Sequence, residues 1–153
     1  MVRSHSRKPF GANMARRIRF EAEARKQGLQ FATRTRGGLV LYRFAIEVPV
    51  SYDQRQVAAW ISDSLRRQAH VQIDGPICAR HRFEDDSLCM WWGPDADDAR
   101  WRISDGLLAL AAHTKHHAWC EADCRASRPW PKEEAPGKHA RPRRCPTCAG
   151  VGR

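Results

Sequence analysis

No stretch of this sequence approaches the ~20 consecutive apolar residues that a membrane-spanning helix needs, and none has the apolar core of a secretory signal. No contact with a membrane is expected, and a cytoplasmic location is. The first 20 residues contain no acid and carry Arg3, Arg7, Lys8, Arg16, Arg17 and Arg19, so import into an organelle is the alternative. Lysine is scarce. Of 27 basic residues only 5 are lysine and 22 are arginine, whose planar fork suits bidentate contacts with phosphate or base edges. Neither H-E-x-x-H nor H-x-E with P-C-x-x-C occurs, which removes the usual signatures of a hydrolytic zinc enzyme. There is no internal repeat. What remains is a chain of 153 residues, 42% hydrophobic, enough for one domain with a modest core and a small appendage.

The net charge of +10 is unevenly placed. Residues 1 to 43 carry 11 basic and 2 acidic side chains, residues 44 to 118 carry 8 and 11, and residues 119 to 153 carry 8 and 4. Both ends are basic and the middle is not. Clustered arginine of this kind is the footprint of contact with nucleic-acid phosphates, which hold cations through counterion release. The bland alternative is a solvated, arginine-rich surface.

Asn13 is placed to cap a helix from Met14 to Gln27, ended by Gly28, with Met14, Ile18 and Ala22 along one face and arginines around the rest. Two strands follow, Leu29 to Thr35 and Leu39 to Val48, around a turn at Arg36, Gly37 and Gly38. Val40, Tyr42, Phe44, Ile46 and Val48 alternate, which predicts one face in the core with Leu41, Arg43 and Glu47 on the other. Ser51 with Gln54 has the form of a capping box and predicts a helix to Gln68, with Val57, Trp60, Ile61 and Leu65 buried. Strands are predicted at Val71 to Asp74, in Ile77 to Glu84, and at Ser87 to Trp92. The last turns through Asp95, Asp97 and Asp98 to a hairpin partner at Arg100 to Ile103, with a helix begun at Pro94 as the alternative. Ser104 caps a final helix from Asp105 to Asp123. Beyond Arg125 the chain is polar and proline-rich and cannot bury a core of its own.

The final helix carries metal-binding chemistry. At ~100° per residue, His113, His116, His117, Cys120 and Cys124 all fall on one side of it. Cys145 and Cys148 form a C-x2-C pair, and structural zinc needs two such pairs of soft ligands brought together. The preferred ligand set is Cys120, Cys124, Cys145 and Cys148, with His113, His116 and His117 as alternates and Zn2+ as the cofactor. Solvated histidines and free thiols are the bland alternative. Cys78 and Cys89 read as small buried hydrophobes. Trp91, Trp92, Trp101 and Trp119 read as packing residues, whereas Trp130, in the basic loop between the ligand pairs, is the candidate for stacking on a base.

Residues 145 to 152, Cys-Pro-Thr-Cys-Ala-Gly-Val-Gly, resemble the C-x2-C-x-G-x-G zinc repeat of DnaJ-type co-chaperones. The resemblance covers eight residues of the chain. It implies zinc ligation by Cys145 and Cys148 with glycines easing the knuckle, and it does not imply chaperone activity, because that family uses four repeats and a J-domain. The spacing of His113, His117, Cys145 and Cys148 is similar to that of retroviral integrase zinc domains. His116, Cys120 and Cys124 give H-x3-C-x3-C, which departs from the H-x3-C-x2-C of zinc-binding anti-sigma factors.

The sequence thus predicts an α+β fold, a small antiparallel sheet with helices packed on one face plus a C-terminal zinc knuckle. Residues 1–13 are expected to be a basic disordered arm, 14–118 the α+β domain and 119–153 a zinc-binding segment. The predicted function is non-enzymatic binding of DNA or RNA, of a regulatory or phage- or plasmid-associated kind. Phosphates would be held by Arg16, Arg17, Arg19, Arg25 and Lys26 on the first helix, Arg34 and Arg36 on the hairpin, and Arg141, Arg143 and Arg144 beside the knuckle. The alternatives are a protein-interaction adaptor with a structural zinc and a metal-dependent nuclease.

Overall fold

The alternation over Leu39 to Val48 organises the molecule. In the computed structural model, which describes residues 8–49, 52–76, 82–83, 85–91 and 100–126, four strands follow one another as a meander. They are β1 (Phe31–Arg36), β2 (Leu39–Glu47), β3 (Gln54–Ile61) and β4 (Ala69–Ile73), each antiparallel to the next. Val40, Tyr42, Phe44 and Ile46 of β2 are buried, and Val57, Ala59 and Ile61 of β3 join them on the same face. Val71 and Ile73 extend that face onto β4. Arg36 pairs with Leu39, leaving Gly37 and Gly38 as a two-residue loop. Gly37 has φ +60°, the first position of a turn whose twist matches that of the strands.

Two helices cover the buried face. Asn13 caps α1 (Met14–Lys26), its side-chain oxygen accepting the Arg16 N–H at 3.1 Å. A 3-10 turn at Ile103–Asp105 leads into α2 (Gly106–Arg125), with the Asp105 carboxylate accepting the Arg102 N–H at 2.7 Å. Phe20 of α1 lies 5.2 Å from Tyr42, 5.1 Å from Phe10 and 6.0 Å from Trp101 between ring centroids. Leu107 and Leu110 of α2 complete this core with no exposed surface. The architecture is therefore α+β, an antiparallel sheet with two helices. Among the described residues no helix is long and apolar enough to cross a membrane.

Several local expectations are corrected. The helix predicted over 51–68 is instead strand β3, followed by turns. Val57, Ala59 and Ile61 satisfy a period of two as well as Val57 and Ile61 satisfy one of 3.6, and eight residue pairs with β2 settle the choice. The hairpin of 87–92 with 100–103 does not form: Leu88 makes an isolated bridge with Arg82, its N–H donates to Val71 O of β4 at 2.8 Å, and Arg102 leads into the 3-10 turn. On α1 the buried residues are Phe20, Glu21 and Ala24, while Met14 and Ile18 are 64% and 61% exposed. The large Phe20 ring, not the Met14–Ile18–Ala22 stripe, sets the helix rotation.

The supposed N-terminal arm is in its last part structural. Phe10 is fully buried, its N–H donates to Asp63 Oδ2 at 2.7 Å, and the Gly11 N–H donates to Gly38 O at 3.1 Å. A Cβ on Gly11 would stand 2.7 Å from the Gly38 carbonyl carbon, so only glycine permits this approach. Residues 8–13 belong to the domain. The zinc knuckle at Cys145 and Cys148, residue Cys78 and most of the predicted 77–84 strand lie outside the described residues.

Candidate nucleic-acid interface

Side chains opposite the core face of the sheet are set by the same alternation and register. Arg34 of β1 pairs with Leu41, Leu41 with Trp60, and Trp60 with His70, so these four form one row across all four strands. The next row holds Ala32, Arg43, Ala58 and Gln72. Arg36 stands two residues beyond Arg34 on β1. From strand rise and spacing, the Cα atoms of Arg34, Arg36 and Arg43 lie roughly 7 to 8 Å from one to the next along β1 and on the diagonal to β2. All three are exposed, and Leu41, Trp60 and His70 are half-buried between them and β4.

None of the described ion pairs involves Arg34, Arg36 or Arg43. Among the described residues no helix packs on this face. Asp85 touches its β4 border, with its carboxylate 3.4 Å from His70 Nε2 and its carbonyl accepting Gln72 Nε2 at 3.3 Å. Burial pushes the Asp85 carboxyl up, but the Ser87 hydroxyl and N–H, at 2.6 and 3.0 Å, and the nearby His70 outweigh it and hold it below the ordinary range. Past His70, a cavity of about 280 Å³ is walled by Arg66, Arg67, Phe83 and Met90. The Arg67 guanidinium lies 4.3 Å from the centroid of Phe83.

The basic residues of α1 are placed differently. Arg16 makes a bidentate pair with Asp63 at 2.8 and 2.7 Å, and that hydrogen bond raises its pKa despite partial burial. Arg17 donates to Thr35 Oγ1 at 3.1 Å and lies 3.8 Å from Glu21, and Arg25 donates to Glu21 at 2.8 Å and covers the Phe31 ring. Lys26 lies 3.7 Å from Glu23. Only Arg19 of the five is outside the described ion pairs. Carboxylates therefore match most of the charge counted on this helix. Arg141, Arg143 and Arg144 lie outside the described residues.

The proposed metal ligands on α2 keep the helical spacing of one side but differ in their surroundings. His113 packs edge-on to Trp91 at 5.9 Å, His116 is exposed beside Trp119, and His116 Nε2 lies 3.7 Å from Cys120 Sγ. His117 is buried, its Nε2 3.4 Å from Glu121, while Cys120 is fully buried and Cys124 half-buried. Among the described residues no three His, Cys, Asp or Glu side chains converge as metal ligands. The partner pair Cys145 and Cys148, Trp130, and the acids Asp95, Asp97 and Asp98 lie outside those residues.

A buried ion pair lies beside the expected metal half-site, with Glu121 next to Cys120 in the chain and 3.4 Å from His117. Arg82 donates to both oxygens of Glu121 at 2.7 and 2.8 Å, with both side chains at least 96% buried (4% and 3% exposed). Its Nη1 donates to Asp86 O at 3.0 Å, and Nη2, besides its Glu121 contact, donates to Pro76 O at 3.4 Å. Burial alone would push the Glu121 carboxyl up, yet His117 and Arg82 outweigh it and hold the carboxyl at about 2. This cluster fastens the chain after β4 to α2. It is a structural tie, and no sequence motif marks it, because Arg82 and Glu121 are 39 residues apart. Trp60 and Arg43 carried a readable signal, the strand alternation, but the helix assigned to 51–68 hid Trp60's place in the row.

Comparison of the chain with protein-family models, with curated proteins and with solved structures found no match.

Proposed function

We propose that this protein is a non-enzymatic nucleic-acid-binding protein whose phosphate contacts are made by the sheet face opposite the two helices. The observation that carries it is the group of three exposed arginines, Arg34, Arg36 and Arg43, outside every described ion pair on a face whose only acid on the same strands is Glu47. A guanidinium without a carboxylate partner keeps its donors for an anion, and phosphate is the anion its fork fits best. The α1 basic residues supply long-range attraction rather than dedicated contacts, because Asp63, Glu21 and Glu23 already hold most of them.

Binding of labelled 20-mer DNA and RNA followed against salt tests this. Affinity should fall linearly on a log–log plot, and Arg34→Ala with Arg43→Ala should reduce the slope by roughly 0.7 to 0.9 per arginine. An equivalent change at Arg16 and Arg25 should reduce it less. No binding at low salt, or binding indifferent to salt, would leave the protein-interaction adaptor as the reading instead.

A further inference from the structure

We infer that the nucleic acid held on this face is an unpaired strand, with a base stacked on Trp60. This rests on the nucleic-acid reading above and deepens it. The centre of the face is apolar: Leu41 and Trp60 are directly opposite one another on β2 and β3. The basic groups line its β1 side, with Arg34 beyond Leu41 in the same row and Arg43 on the diagonal from Trp60. His70, at the other end of the row, meets the Trp60 ring edge-on at a centroid distance of 5.6 Å and steadies its orientation. An aromatic ring flanked on one side by a line of cations matches a base attached to its phosphates.

A duplex does not match it. The three gaps between four strands span roughly 14 Å before side chains are added, whereas the major groove is about 12 Å wide and admits a helix or a two-stranded ribbon. A flat four-stranded face can meet a duplex only at its phosphates, where the indole of Trp60 finds no base, since paired bases are stacked on each other. An unpaired strand presents base faces to the sheet and phosphates to the rim.

The test uses the full chain and fluorescence anisotropy with a labelled 20-mer as a single strand, as its duplex, and as a strand of the same length without bases. Wild-type protein should bind the single strand at least tenfold more tightly than the duplex, and the abasic strand should bind no better than the duplex. Trp60→Ala should weaken single-strand binding by roughly 5- to 150-fold with duplex binding unchanged, and Trp60→Phe should restore most of it. Equal affinity for the single strand and the duplex, or undiminished affinity for the abasic strand, overturns the inference while the nucleic-acid reading stands. Since the abasic comparison uses unaltered protein, it decides the matter even if Trp60→Ala folds poorly. Absence of salt-dependent binding to all three overturns both.

Discussion

Glu121 is a carboxylate with almost no access to water, and its worth depends on being ionised. Its carboxyl lies at about 2 in the folded protein against an ordinary 4.5. A lowered acid contributes stability above its unfolded value and loses it as pH falls toward the folded one. The contribution is therefore complete at neutral pH and declines from about pH 5 toward 2, amounting to about 3 kcal/mol. Urea unfolding of wild type and Glu121→Gln should show a gap that closes across that range. A gap of constant size from pH 6 to 2.5 would show that ionisation of Glu121 contributes nothing. Glu121→Ala should cost about 3 to 5 kcal/mol at pH 7, since Arg82 would remain buried without its partner. Tyr42 belongs to a similar arrangement, its hydroxyl donating to Glu21 at 2.8 Å, and burial followed by that carboxylate raises the phenol above its ordinary range.

Elements differ in how openly the sequence displays them, and the difference follows from the length over which each signal is local. The α1 cap was legible because Asn13 and the Arg16 N–H are three residues apart. Asn13→Ala should lower stability by about 1 kcal/mol without altering the proposed nucleic-acid surface, measurable as a drop in Tm at unchanged salt slope. The hairpin was legible from Gly37 and Gly38 and from the clean alternation of β2. β3 was not, because Val57, Ala59, Trp60 and Ile61 fit a helical stripe about as well as a strand, and only pairing with β2 decides. That one ambiguity concealed the Leu41–Trp60 pair and with it the centre of the candidate site. The rotation of α1 is hidden for a related reason: Phe20 is buried by contact with distant Tyr42 and Trp101, which no local periodicity reveals.

Across the whole molecule, the charge asymmetry of the sequence is refined by pairing. The arginines of α1 largely face carboxylates, while those of β1 and β2 do not, so a charge count could locate a basic half but not which of its arginines lack a carboxylate partner. We keep zinc as a proposal for the same reason of distance, since Cys120 and Cys124 at the end of α2 depend on Cys145 and Cys148 for completion. Elemental analysis should find zinc in wild type and none in Cys145→Ser; metal-free wild type would remove the metal from the account. β1 adds a last consequence. Among the described residues it is the outer strand of the sheet, its backbone unpaired on one side, and such a strand invites the same strand of another copy. It is short and, apart from Phe31, built from alanine, threonine and arginine, with Arg34 and Arg36 near the hairpin tip. Two like charges brought against two more oppose that pairing. The guanidinium groups we assign to phosphate also keep copies of this chain apart.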